Sequence, residues 1–88
     1  MPKFLRFTAT WCGPCRVAGP VIEKVASERG VQIEVIDIDS DPDTADRYNV
    51  MAVPTLLAVD DDGVELSRLV GLQLEPTYRD WMQRHLTA

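Results

Sequence analysis

Cysteine and histidine are scarce in this chain: two Cys and one His in 88 residues. That is too few for a structural zinc site, which usually takes four Cys or His ligands. Basic residues are also outnumbered, with 9 Lys and Arg against 14 Asp and Glu, for a net charge of -5. Phosphate backbones and anionic membrane surfaces are held by clustered cations, so neither nucleic acid nor membrane is expected as a partner. No apolar run approaches the roughly 20 residues of a membrane-spanning helix. The start, MPKFLRF, lacks the long apolar stretch and small-residue cleavage site of a secretory signal. Repeats, linkers and low-complexity tracts are missing as well. The expected compartment is a reducing cytoplasm, where a lone pair of cysteines is more often catalytic or metal-binding than a permanent bridge.

What is present is an ordinary globular composition, 45% hydrophobic and 26% charged, enough for one modest core in a single domain over residues 1–88. Lys3 to Thr8 alternates and is rich in aromatics, as a strand requires. Residues 16–29 carry Val17, Val21, Ile22, Val25 and Ala26 at helical spacing, stopped by Gly30 and expected to kink at Pro20. Residues 31–38 (VQIEVIDI) alternate and then turn apolar, which predicts a buried strand. Asp41 and Pro42 form an N-cap and first turn for a short helix over 43–49. Thr55 to Val59 reads as a third strand, Asp61-Asp62-Gly63 as a hairpin turn and residues 64–70 as a fourth strand. Glu75 to Leu86 closes the chain as an amphipathic helix with Tyr78, Trp81, Met82 and Leu86 on one face. The order is β-α-β-α-β-β-α, an α/β fold. It implies a four-stranded mixed sheet with helices on both faces, its first two strands parallel and its last two antiparallel.

The stretch TWCGPC, residues 10–15, holds both cysteines. Cys12 directly follows a strand and opens a helix, where unpaired backbone N–H groups and the helix dipole favour an anion. Such placement lowers a thiol pKa from about 8.5 to about 7 or below. Two intervening residues let Cys15 reach back to the same sulfur over one helical turn. Gly13 keeps the approach open to another chain, Pro14 stiffens the first turn, and Trp11 offers an exposed apolar surface. The chemistry this suits is thiol–disulfide exchange, in which Cys12 attacks a target disulfide and the deeper Cys15 resolves the mixed disulfide. Three alternatives are weaker. Zinc would have only His85 to add to the pair, copper(I) on two thiolates has nothing else to support it, and a structural disulfide over so small a loop gains little entropy. No metal site is therefore expected.

The residues Trp11-Cys12-Gly13-Pro14-Cys15, Pro20, Ala45, Tyr48, Val53-Pro54-Thr55, Gly63 and Val70-Gly71 together resemble the thioredoxin family over nearly the whole chain. The resemblance implies a thioredoxin-like fold and a protein-disulfide reductase that binds no cofactor. Its electrons would come from an NADPH-dependent flavoprotein thioredoxin reductase, its substrates would be disulfide-containing target proteins, and it would act as a monomer. It also implies a cis Val53–Pro54 bond facing the cysteines and a Val53 backbone offered to a substrate strand. Gly71 would leave room beside the disulfide, and Met51, Ala52 and Leu72 would complete an apolar rim with Trp11.

Two departures stand out. The strand and helix that open thioredoxins are missing, so size and element order look like those of glutaredoxins and small glutaredoxin-like redoxins. One alternative is therefore a glutathione-dependent redoxin serving ribonucleotide reductase; another is a non-catalytic binding module on the same fold. Second, thioredoxins place an Asp and a Lys behind the cysteines where this chain has Arg6 and Val35. Either Arg6 reaches past the sheet to solvent, or it stays behind the cysteine helix and lets Cys15 ionise without a dedicated base. The alternating Asp37, Asp39, Asp41 and Asp43 imitate the start of a calcium loop. Pro42 and Tyr48 stand where that loop needs Gly and Glu, so these acids read as a strand end and a helix start. Asp60 to Asp62 likewise read as a solvated turn.

Overall fold

The computed structural model describes residues 1–87. The strands are β1 (Lys3–Thr8), β2 (Ile33–Asp37), β3 (Thr55–Val59) and β4 (Glu65–Val70), and the helices are α1 (Gly13–Glu28), α2 (Pro42–Arg47) and α3 (Glu75–Leu86). All four strands share one sheet in the order β2-β1-β3-β4. β1 runs parallel to β2 and antiparallel to β3, and β3 is antiparallel to β4. The expected mixed sheet is thus present.

Strand alternation sorts the core into two layers. Phe4, Leu56 and Ala58 face α1 and α3, where they pack with Ala18, Ile22, Val25, Tyr78 and Met82. Leu5, Phe7, Leu57 and Val59 face the other way, onto Ala45 of α2 and the ring of Tyr48. β3 is covered on both sides and buried at all five positions, which accounts for the apolar run Leu56–Val59 after Thr55.

Four boundaries differ from the sequence reading. α1 runs Gly13–Glu28 where the apolar spacing covers 16–29, and it has Cys12 as N-cap and Pro14 in its first turn, as the cysteine motif implied. Residues 31–38 are not a buried strand: β2 covers only Ile33–Asp37 at the sheet edge, and only Ile36 within it is buried. With β1 as its one neighbour, that strand lacks the second wall its apolar run suggested. α2 spans Pro42–Arg47 rather than 43–49, ending where Asn49 turns left-handed at φ 53°. β4 starts at Glu65, because Val64 still belongs to the turn closed by Asp60 N–H donating to Val64 O.

Other expectations hold. The side chain of Asp41 accepts from Thr44 N at the start of α2, and Pro20 lies inside α1 on its exposed side. Tyr78, Trp81 and Met82 of α3 are buried, with Leu86 packed at the edge of the same cluster. Among the described residues no helix is long and apolar enough to cross a membrane.

Candidate active site

β1 delivers the chain to the cysteine turn, and α1 starts within it. Cys12 is the N-cap of α1, and its Sγ accepts from the backbone N–H of Cys15 at 3.2 Å. A sulfur is thus placed where Ser, Thr, Asp or Asn usually satisfies the first turn. Cys12 and Cys15 are joined as a disulfide, with their Cα atoms 5.3 Å apart. Both residues are buried, Cys12 at 3% and Cys15 at 4% exposure. The expectation that Cys15 lies deeper than Cys12 is not met: Ala9, Ile38 and Val53 pack around both. Gly13 and Pro14, between them, are exposed, and no atom lies within 4 Å of where a Gly13 side chain would start.

The segment before β3 forms the facing wall. Val53–Pro54 is the one cis peptide bond among the described residues, as the resemblance implied. The Val53 carbonyl oxygen lies 3.6 Å from Cys12 Sγ. A disulfide sulfur has no proton to give, so this contact becomes a hydrogen bond only when Cys12 is a thiol. Pro54 is buried, whereas Met51 and Ala52 are exposed. Thr55 Oγ1 donates to Ala52 O at 2.7 Å, closing the turn that carries them.

Gly71 follows β4 on the third side. Its φ of +83° is a left-handed conformation that favours glycine. Gly71 N–H donates to Pro54 O at 2.8 Å, tying the two loops together. Nothing lies within 4 Å of a Cβ placed there. Tyr78 of α3 fixes this loop from behind, its hydroxyl accepting from Gln73 N at 3.1 Å and lying 3.5 Å from Gly71 O. Burial raises the Tyr78 pKa above its ordinary value, offset in part by the bond from Gln73. Leu72 beside it is half-exposed.

Trp11 is 64% exposed, yet its ring is held: Nε1 donates to Asp39 Oδ2 at 2.8 Å. Sequence reasoning assigned Asp39 only to an acidic turn and missed this role. Its acidic neighbours behave as that reading expected. Asp37 Oδ1 accepts from the backbone of Asp39 and Ser40, and Asp41 caps α2. Among the described residues no three His, Cys, Asp or Glu side chains converge as a metal site. His85, the only histidine, is on α3 and shares a 2.6 Å hydrogen bond with Ser67 Oγ.

Arg6 is largely covered rather than extended into solvent. Its side chain is 14% exposed and lies under α1, where Nη1 comes within 3.0 Å of the position a Gly19 Cβ would occupy. Its nearest anion is Glu23, at 3.9 Å from Nε. Val35, its register partner in β2, is half-exposed.

Cavity size does not mark this site. A hollow of about 570 Å³ opens at the opposite end of the sheet, between residues 1–5 and 30–34. Disulfide exchange with a protein calls instead for an accessible surface beside the sulfurs, and Trp11, Gly13 and Pro14 next to the buried pair are exposed.

The family model for thioredoxin matches residues 2–84. The chain is 37% identical over 86 residues to the thioredoxin of Staphylococcus epidermidis, an alignment spanning 96% of this chain and 82% of that protein. With the thioredoxin of Mycobacterium tuberculosis it shares 42% identity over 72 residues, 80% of this chain and 61% of the relative. The solved structure of Fasciola hepatica thioredoxin superposes with a TM-score of 0.85 at 35% identity, covering 96% of this chain and 80% of that one.

Proposed function

The chain belongs to the thioredoxin family and is a thiol–disulfide oxidoreductase, and from that premise we propose how its residues divide the reaction. In the dithiol form Cys12 is the nucleophile, its thiolate stabilised by the Cys15 N–H and the start of α1. It attacks one sulfur of a target disulfide, and the other target sulfur leaves as a thiolate that takes up a proton. Cys15 then loses its proton and attacks Cys12 Sγ, forming the intramolecular disulfide and releasing the second target sulfur. One target disulfide is reduced and the Cys12–Cys15 dithiol is oxidised, a two-electron exchange in which atoms balance.

The substrate strand lies along Val53, whose backbone N–H and C=O are offered beside Cys12, with Trp11, Gly13, Pro14, Pro54 and Gly71 forming the surround. No bound cofactor takes part. A flavoprotein thioredoxin reductase returns the electrons from NADPH, and the protein works as a monomer in a reducing cytoplasm on disulfide-containing proteins. The observation that carries this reading is the Cys12–Cys15 disulfide at the N-cap of α1, against the Val53 carbonyl. The test is NADPH oxidation by the purified protein with a thioredoxin reductase and insulin as substrate. Turnover that depends on both reductase and substrate supports it. Turnover only with glutathione and glutathione reductase would transfer the protein to the glutathione-dependent redoxins.

A further inference from the structure

Of the buried side-chain nitrogen and oxygen atoms among the described residues, Arg6 Nε is the one without a hydrogen-bond partner. Burying an incompletely paired charge is expensive. The guanidinium lies over Gly19, on the inner face of α1 that also carries Cys15 one turn earlier. Four residues of helix place those two backbones about 6 Å apart. The anion nearest to Arg6 is a half-exposed carboxylate, Glu23, at 3.9 Å.

We propose that Arg6, only partly balanced by Glu23, is further balanced by the thiolate that forms at the Cys12–Cys15 pair on reduction, so that Arg6 tunes the redox equilibrium of this pair. The inference rests on the reading of Cys12 and Cys15 as the redox pair. In the disulfide form both sulfurs are neutral and Arg6 gains nothing from them. Reduction puts two electrons and, at neutral pH, fewer than two protons on the pair, leaving negative charge one helical turn from a guanidinium. Arg6 therefore stabilises the reduced state, makes the protein a weaker reductant and lowers the thiol pKa. It acts through space and touches neither sulfur. Glu23 works against it by neutralising part of its charge.

The other charged groups around the pair keep their hydrogen-bond partners and their charge, and they contribute equally in wild type and in the Arg6 and Glu23 variants. Arg16 of α1 donates to Thr10 O, Asp39 accepts from Trp11 Nε1, and Asp37 accepts from two backbone amides. On the α3 side Lys24, Glu75, Arg79 and Glu28 pair among themselves. The variants below therefore change only the field of Arg6 and Glu23.

The test is the equilibrium constant against glutathione redox buffers for wild type, Arg6→Leu, Arg6→Lys and Glu23→Gln, measured from pH 6 to 9. A charge about one turn away and shared with Glu23 is expected to move the thiol pKa by about one unit. Arg6→Leu then shifts the equilibrium toward disulfide by about tenfold, or about 30 mV, at pH 9 and by little at pH 6. Arg6→Lys restores most of the wild-type value. Glu23→Gln shifts the constant the opposite way, and this surface change keeps the test alive if Arg6→Leu fails to fold. A shift of equal size at every pH, no shift, or a Glu23→Gln shift in the same direction as Arg6→Leu overturns the proposal. A wild-type protein that forms no reversible disulfide with glutathione would overturn the functional reading itself.

Discussion

Trp11 donates its indole Nε1–H to Asp39 Oδ2 across 2.8 Å, joining the residue before the cysteine turn to the loop after β2. The bond links residues 28 positions apart and holds an exposed aromatic ring beside Cys12. Such a ring serves as a docking surface only if its orientation is kept. An exposed hydrogen bond to a carboxylate contributes about 0.5–1 kcal/mol. Asp39→Ala should therefore raise KM for a protein disulfide about two- to fivefold, with kcat nearly unchanged. Asp39→Asn keeps an acceptor and should recover most of the loss. A kcat effect larger than the KM effect would show that Asp39 acts on the sulfurs rather than through Trp11.

The division of labour between the cysteines cannot be argued from burial, since both are almost fully buried. It rests on the N-cap: only Cys12 Sγ faces the first-turn amide of α1. Cys15→Ser should accumulate a covalent mixed disulfide with a target protein, whereas Cys12→Ser should trap none, and both should lose turnover. Non-reducing electrophoresis and mass spectrometry read this directly. Trapping through Cys15 would reverse the assignment. Full function without Cys12 would mark the chain as a binding module.

Tyr78 links the core to the Gly71 loop. Its hydroxyl accepts from Gln73 N at 3.1 Å, and Tyr78→Phe leaves that amide without its partner. The expected cost is about 1–2 kcal/mol, or a drop in Tm of roughly 4–10 °C for a domain of this size. Loosening of Gly71 should raise KM as well. A Tm unchanged by Tyr78→Phe would mean that water replaces the hydroxyl.

His85 gives a pH dependence whose sign follows from its surroundings. Burial first, and the neighbouring Arg84 second, hold its pKa below the ordinary 6.5. The unfolded chain therefore takes up the proton before the folded one. The stabilising contribution is whole above about pH 6.5 and is lost as pH falls through the lower, folded-state value. Comparing wild type with His85→Gln between pH 7.5 and pH 5 isolates the effect, because only wild type should lose this increment. An equal drop in both proteins would assign the acid sensitivity elsewhere.

Where local signals were dense, the sequence was a sufficient guide to the fold. β1, β3 and α3 occupy the residues expected, because alternation, the turn before β4 and an apolar helical face each act over a few residues. β2 shows the limit. Its apolar run is that of a buried strand, but burial depends on how many strands flank it, and β2 has one neighbour. The start of α1 is legible from the cysteine motif, which puts Cys12 at the helix N-terminus, and not from the apolar spacing, which begins only at residue 16. The cysteine pair, Gly71 and the Val53–Pro54 segment were legible as motifs. Asp39 and Tyr78 were not, since each acts through a contact that only the folded chain creates. For Arg6, alternation indicated the face, while the reach of the guanidinium depended on the gap over Gly19.

That gap offers a further test, because Gly19 is a glycine in the interior of a helix. Replacing such a glycine by alanine ordinarily stabilises by about 0.5–1 kcal/mol, through lost freedom of the unfolded chain. Here the new Cβ would sit 3.0 Å from Arg6 Nη1 and 3.4 Å from its Cζ. The contact is tight, but it falls on the far end of a flexible side chain, and a few tenths of an ångström relieve it. The helix gain should therefore win, raising Tm by up to about 5 °C. A guanidinium pushed off Gly19 by the new methyl group moves away from the helix that carries the cysteines. Gly19→Ala should consequently shift the glutathione equilibrium in the same sense as Arg6→Leu, by a smaller factor, while the fold becomes more stable rather than less. Opposite signs in stability and in redox equilibrium would separate an electrostatic effect from a loss of structure. A destabilised Gly19→Ala protein would instead mean that Arg6 is held rigidly against α1.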